Sequence, residues 1–395
     1  MGERIVPLAR ATVDFERDTK RISVCLAGTW DTNFGRNIIL QRILKRAGCE
    51  VTTCQVDLWG ERRDAIVRTR KLAIVRRAIV AYPLLIWKFL RSPRSDIVLV
   101  PYPGYFDMLL IATLCRIRGT PVVFDIFISL YDTVVSDRGL TSRASLLATL
   151  MRAADRMACR ASDLVLADTP ADAEYFAELT GVPLDRFRVL WVGAREHLFH
   201  PVSSIDPDPN LVLFYGTFIP LHGLETIVRA AKRLELDGIR FRIIGDGQKR
   251  NDIDQLISEL HIKNIERVGL IPLECLRDEI AGAGICLGIF GTTAKASRVV
   301  PNKVYECIAI GRPVVTADTP AIHSAFNRTE VQTVPPGDAD QLANAIRCLR
   351  AHHLAREQMA IAGRERFRRD YSEDALSRLL ISHLDELLKA RAERE

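Results

Sequence analysis

Short β-branched and apolar runs recur along the first half of the chain, at residues 22–27, 51–56, 97–100, 122–124 and 164–167. Longer stretches with helical periodicity lie between them, such as 37–47 and 106–118. That alternation predicts parallel strands joined by crossover helices, a doubly wound α/β domain. The rhythm stops after Leu198, where Pro201, Pro207 and Pro209 stand among short polar residues and defeat both helix and strand. It restarts with strands expected at 211–215, 239–244, 285–289 and 313–316. Between the first two, Leu224, Ile227, Val228, Ala231 and Leu234 fall on one helical face. The pattern predicts an N-terminal extension (1–20), a first doubly wound domain (21–197), a linker (198–210), a second doubly wound domain (211–370) and a C-terminal helical segment (371–395).

Length agrees, since 395 residues exceed what one hydrophobic core usually serves. With 48% hydrophobic and 26% charged residues, the chain has the balance of a folded globular protein, not of a disordered one. The nine cysteines include no Cys-x-x-Cys pair, and several sit in apolar runs. They read as reduced core residues and predict a cytoplasmic protein. Residues 1–20 are charged throughout, without the apolar stretch of a signal peptide, and no run approaches the ~20 apolar residues of a membrane span. The net charge of +6 is modest. Basic residues lack interleaved aromatics outside one segment, which disfavours nucleic-acid binding.

In open parallel sheets ligands collect beyond the carboxyl ends of the strands, so candidate chemistry belongs in the loops there. Gly28, Thr29, Gly35 and Arg36 lie between the first strand and its helix, suited to an acceptor or phosphate loop although the glycine spacing matches neither a dinucleotide fingerprint nor a P-loop. Gly216, Thr217, His222 and Gly223 hold the corresponding place in the second domain. Gly245, Asp246 and Gly247 close its next strand, where a turn needing positive φ is an equal explanation. Pro301 and Asn302 suit a helix start, which puts Lys303 in the first turn and Glu306 one turn later on the same face, either as a binding pair or as a surface ion pair. Arg298 and Lys303 could neutralise a diphosphate, and Glu306 could accept hydrogen bonds from a diol. Asp125 and Asp132 follow a strand and are candidates for sugar hydroxyls, or for turns and caps. No Asp-x-Asp or His/Cys cluster calls for a metal.

Taken together, the 216–223 loop, Gly245-Asp246-Gly247, the helix bearing Glu306, Gly311-Arg312-Pro313-Val314-Val315 and Pro336-Gly337-Asp338 resemble, in order and spacing, the retaining GT-B glycosyltransferases of family 4. The resemblance runs from about Arg21 onward. It implies two Rossmann-like domains facing a cleft, with the second binding a nucleotide sugar such as a UDP- or GDP-hexose and the first presenting a glycan or lipid-linked acceptor. It further implies a ribose-binding role for Glu306, no cofactor or metal, and a C-terminal helix at 374–389 that crosses back to the first domain. Retention would proceed by front-face attack assisted by the leaving diphosphate. The sequence also departs from the family. Thr217 and His222 stand where an arginine and a lysine are usual, and Arg298 replaces the first of two glutamates spaced eight apart. Arg298 and Lys303 are therefore expected to carry the diphosphate charge, with Asp125 as a further catalytic candidate. The alternatives are a non-catalytic nucleotide-sugar-binding subunit and a nucleotide-sugar epimerase.

One segment remains. Residues 61–94 hold ten Lys or Arg against two acids. Arg63, Arg70, Arg77 and Arg91 recur at multiples of seven, with an apolar line of Leu72, Ile79 and Ile86 elsewhere, although Arg68 and Arg76 fall off the basic stripe. This helix could rest peripherally on an anionic membrane surface, or simply be a solvated helix, and Pro83 is expected to interrupt it.

Overall fold

The computed structural model describes residues 21–58, 71–138 and 141–393. In chain order the first half contains β1 (Ser23–Gly28), α1 (Gly35–Arg46), β2 (Glu50–Gln55), α2 (Lys71–Arg91), β3 (Ile97–Val100), α3 (Tyr105–Arg118), β4 (Val122–Asp125), α4 (Leu146–Ala161), β5 (Leu164–Ala167), α5 (Pro170–Thr180) and β6 (Phe187–Val189). The second half contains β7 (Asp208–Tyr215), α6 (Leu224–Arg233), β8 (Arg240–Ile244), α7 (Arg250–Glu259), β9 (Ile265–Val268), α8 (Leu273–Gly282), β10 (Ala283–Leu287), α9 (Asn302–Ile310), β11 (Val314–Ala317), α10 (Pro320–Ala325), β12 (Gln332–Val334), α11 (Ala339–Ala351), α12 (His353–Arg366) and α13 (Glu373–Ala392). Two six-stranded sheets result, ordered β2-β1-β3-β4-β5-β6 and β12-β11-β10-β7-β8-β9. Every strand pair is parallel. This is the expected pair of doubly wound Rossmann-like units.

Strand alternation makes two apolar layers on the first sheet. Val24, Leu26, Val123 and Leu166 point towards α1 and α13, whereas Cys25, Ala27, Phe124 and Val165 point towards α2, α3 and α4. Leu376, Leu380 and Leu384 of α13 lie in the first of these layers, so the C-terminal helix does cross back. Arg42 and Arg46 of α1 pair there with Glu373 and Asp374. A further core joins the halves, with Phe127, Val192 and Phe199 packing against β7, α8 and α9.

Three features depart from the sequence reading. β7 begins at Asp208, inside the stretch expected as linker. Pro209 is tolerated because the pairing with β10 shifts register between Ala283 and Ile285, and Gly284 has no side chain to strike the Asp208 carbonyl. α2 runs through Pro83 instead of breaking. The carbonyl this frees, at Ile79, lies on a solvent-facing side, where Ile79 is 68% exposed. The short strands β6, β9 and β12 carry charged or polar residues at half their positions and escape a search for apolar runs. The expected Arg63 and Arg70 lie outside the described residues.

Candidate functional site

The second sheet delivers β7 and β8 to one edge, where they end at Tyr215 and Ile244. The chain then turns at Gly216 with φ +139°, runs through a short helical turn at Pro220–His222, and enters α6 at Gly223 with φ +62°. A methyl group at Gly223 would overlap the Phe290 backbone, so only glycine fits that corner. Gly245 and Gly247 serve the same loop from the neighbouring strand. A methyl at Gly245 would overlap the Gly216 carbonyl oxygen, and one at Gly247 would stand 2.6 Å from the Phe218 nitrogen. Their contribution is close backbone approach. Asp246 accepts from the Gly247 amide at 2.7 Å and pairs with Arg250 at 3.0 Å.

Lys303 lies beneath this loop. It belongs to the first turn of α9, which starts after Pro301 with neither a side-chain cap nor an acidic residue in that turn; Asn302 is exposed there. The Lys303 ammonium sits over the Phe214 ring at 4.0 Å, and a Cβ on Gly216 would be 3.1 Å from it. Its Nζ is buried without a hydrogen-bond partner, as is Nδ1 of His222, whose ring also abuts Gly216. Burial pulls the Lys303 amine down to about 7 despite nearby Cys307 and Glu306. Burial first, and Lys303 second, hold His222 well below its ordinary range, hence neutral. Thr217 is exposed on the loop. Two unpartnered polar groups therefore face one glycine turn.

Glu306, one helical turn on, is not part of a surface ion pair. It is buried, its Oε2 accepts from the Tyr215 hydroxyl at 2.7 Å, and burial raises its pKa. Arg195, from the segment joining the halves, opposes that rise. The strands and α9 thus place a cation and a hydrogen-bond acceptor one turn apart.

Arg298 does something other than expected. Its guanidinium reaches across to the first half, to Asp132 at 2.9 Å and Asp172 at 3.3 Å, and stacks on the Tyr175 ring at 3.7 Å. Its carbonyl accepts from Thr169 Oγ1, and Lys295 nearby donates to Thr133 at 2.9 Å. Arg298 is thus committed to Asp132 and Asp172 of the first half, not to the 216–223 loop. It fastens the halves together.

Corrections also fall on the first half. Both oxygens of Asp125 are taken by Arg36, at 3.0 Å each, and Arg36 also donates to the Leu190 and Trp191 carbonyls. The pair is fully enclosed, so neither Asp125 nor Arg36 reaches a sugar or phosphate. Gly28 and Thr29 close on Asp107, which accepts from the Thr29 amide at 2.6 Å and from its hydroxyl. That amide is spent on an internal carboxylate, and a phosphate there would meet negative charge. Gly35 alone of this group faces open space. The sequence reading missed Tyr215, Phe214, Tyr175 and Asp172. Tyr215 could have been found as the strand residue preceding the glycine turn. Asp172 reads locally as the third residue of a Thr169-capped helix, which conceals its partner across the cleft.

Known proteins share this fold. A glycosyl transferase 4-like domain model matches residues 40–193, and a glycosyl transferase-like model matches residues 223–381. Among curated proteins, the chain is 26% identical over 191 residues to the lipopolysaccharide core biosynthesis glycosyltransferase LpsD of Rhizobium meliloti, covering 45% of this chain and 51% of that protein. It is 24% identical over 230 residues to LpsE of the same organism, covering 56% and 65%. It is also 24% identical over 306 residues to the putative colanic acid biosynthesis glycosyltransferase WcaL of Salmonella typhimurium, covering 70% and 74%. The chain thus spans about half of LpsD and just under two thirds of LpsE. Among solved structures, sucrose-phosphate synthase from Thermosynechococcus elongatus superposes with a TM-score of 0.71 at 18% identity, over 94% of this chain and 100% of that one. HepE of Anabaena, in complex with UDP-glucose, superposes with 0.67 at 14% identity, over 93% and 100%. At such identities these two likenesses speak for the fold.

Proposed function

This chain belongs to the group 1 glycosyltransferases of GT-B fold, and from that premise we propose that it moves a hexose-type sugar from a nucleoside-diphosphate sugar to a hydroxyl of a cell-envelope glycan, with retention of configuration. The observation that carries the donor reading is the unpartnered Lys303 ammonium beneath the Gly216 turn. A buried cation without a counter-ion is costly, and an anionic ligand removes the cost by supplying one. The diphosphate would lie against the 216–223 loop, its charge met by Lys303, where family relatives usually place two loop cations. Glu306, oriented by Tyr215, would accept from the ribose diol. As the glycosidic bond breaks, negative charge grows on the leaving diphosphate, and Lys303 would stabilise it in place. Relatives that build lipopolysaccharide core or colanic acid support an envelope glycan as acceptor.

The test is a panel of UDP-, GDP- and ADP-sugars, read by thermal shift and by slow donor hydrolysis. One donor should stabilise the protein and be hydrolysed. Stabilisation without turnover in any acceptor mixture would favour a binding subunit and sink the transfer. Glu306→Gln removes the charged acceptor while keeping the Tyr215 contact. With a charge-assisted hydrogen bond worth about 1.5–3 kcal/mol, the donor KM should rise about 10- to 100-fold. An unchanged KM would remove the ribose from Glu306.

A further inference from the structure

The face of the first sheet opposite α1 and α13 is covered by α2, α3 and α4, side by side. Arg118 ties α3 to α2, with its guanidinium over the Phe89 ring at 4.6 Å and a hydrogen bond to the Leu90 carbonyl at 2.7 Å. Beneath, the three helices share one apolar layer. Above it, the outward face is apolar as well: Val80 is 69% exposed, Ile117 78% and Leu146 75%, with Ile79, Trp87 and Leu150 also more than half exposed. A solvated face normally interrupts such a patch with charges of both signs. Here the charges have one sign. The helices carry ten basic residues, five in α2, two in α3 and three in α4, and only two acids, Asp107 and Asp155. Both acids are buried and committed inward, Asp107 to Thr29 and Asp155 to Ser129, Leu130 and Tyr131. The three helices therefore present no outward carboxylate. Arg91 lies over Trp87 at 4.6 Å, a cation beside an aromatic, as suits a boundary between apolar and charged layers.

The position of the face matters as much as its chemistry. α3 and α4 each follow a strand and run back along the sheet, so Phe106, Leu146 and Leu147 in their opening turns lie towards the carboxyl edge that carries the cleft. At that edge a groove of about 780 Å³ opens between Val56 and Asp57, just past β2, and Arg76, Arg77, Val80 and Leu84 of α2. Among the described residues no helix is long and apolar enough to cross a membrane.

We propose that the outer face of α2, α3 and α4 docks on an anionic lipid surface, with the cleft edge turned to the headgroups. Charge complementarity commits the face to this occupant, because a second copy would bring the same unbalanced basic residues against it. The docking stands independently of the transfer reading; only its use, admission of a lipid-borne acceptor at the groove, rests on that reading.

The test is flotation of the whole protein with phosphatidylcholine vesicles, with and without phosphatidylglycerol. The protein should float with the anionic vesicles, at least about tenfold more than with neutral ones, and be released by high salt. Trp87 fluorescence should shift to the blue on binding. Arg76→Glu with Arg77→Glu, and separately Leu146→Ser with Leu147→Ser, should each lower flotation about tenfold or more, and the Leu146 and Leu147 changes should leave vesicle-free donor hydrolysis unchanged. Failure to float, flotation indifferent to lipid charge, or a dimer in solution abolished by Leu150→Ser would overturn the proposal. Flotation without any donor binding would uphold the docking and count against the transfer reading alone.

Discussion

Lys303→Met lowers kcat/KM for the nucleotide sugar by about 10²- to 10³-fold, the usual effect of removing one fixed positive group from a developing oxyanion. The same change makes the fold more stable. Methionine fills the space above Phe214 and beside Gly216 without burying an unsatisfied polar atom, which relieves about 1–3 kcal/mol. Urea unfolding beside steady-state kinetics would reveal the opposed effects, and a variant both slower and less stable would speak for a merely structural lysine. The pH dependence is a second signature. In the free protein the amine titrates at about 7, and a bound anion favours its charged form. Affinity for UDP, measured by calorimetry, should therefore fall as pH rises above about 7, by up to about tenfold per unit, and Lys303→Met should lack that dependence. Folding follows the opposite course. Because the folded pKa lies below the ordinary 10.5, the unfolded chain binds the extra proton between these values, and this group's contribution to stability grows as pH rises through that window.

Arg298→Ala has its main effect on the union of the two halves. It strips the counter-ion from Asp132 and Asp172, whose side chains are each only 3% exposed. Breaking a buried pair from one side typically costs about 3–5 kcal/mol. Burial and the neighbouring Asp168 already hold Asp172 well above the ordinary carboxylate range. Without Arg298 that rise becomes larger, and Asp172 takes up a proton on mild acidification. The penalty should thus be full near pH 8 and shrink towards pH 5, since folded Asp172 binds a proton that the unfolded chain releases. Adding Asp132→Asn and Asp172→Asn should restore most of the loss at pH 8. A penalty independent of pH, or no rescue, would assign it to lost stacking on Tyr175 instead.

The fold was readable because its signals are local. Valine-rich strands, the one-sided helix from Leu224 to Leu234 and the glycine turns at Gly216 and Gly245 all declare themselves within a few residues. The second half of the site was partly readable for the same reason. Pro301 and Asn302 announce a helix start, which fixes Lys303 and Glu306 one turn apart. The remainder depends on partners far along the chain. Arg36 and Asp125 are separated by 89 positions, Thr29 and Asp107 by 78, and Arg298 and Asp132 by 166. No periodicity reports such pairings, so a buried structural charge in a loop reads as a candidate for chemistry. Tyr215 was hidden differently, as one aromatic in an apolar strand whose hydroxyl matters only once α9 is packed across it.

The path of α13 also governs the order in which the molecule can be completed. Leu376, Leu380 and Leu384 form part of the apolar layer against which β1, β3, β4 and β5 rest, yet they are joined to the first half only through the whole second half. During synthesis the first sheet therefore leaves the ribosome with one face covered only by α1, and it stays so while some two hundred further residues are translated. A helix made after the second half is the one that closes the first.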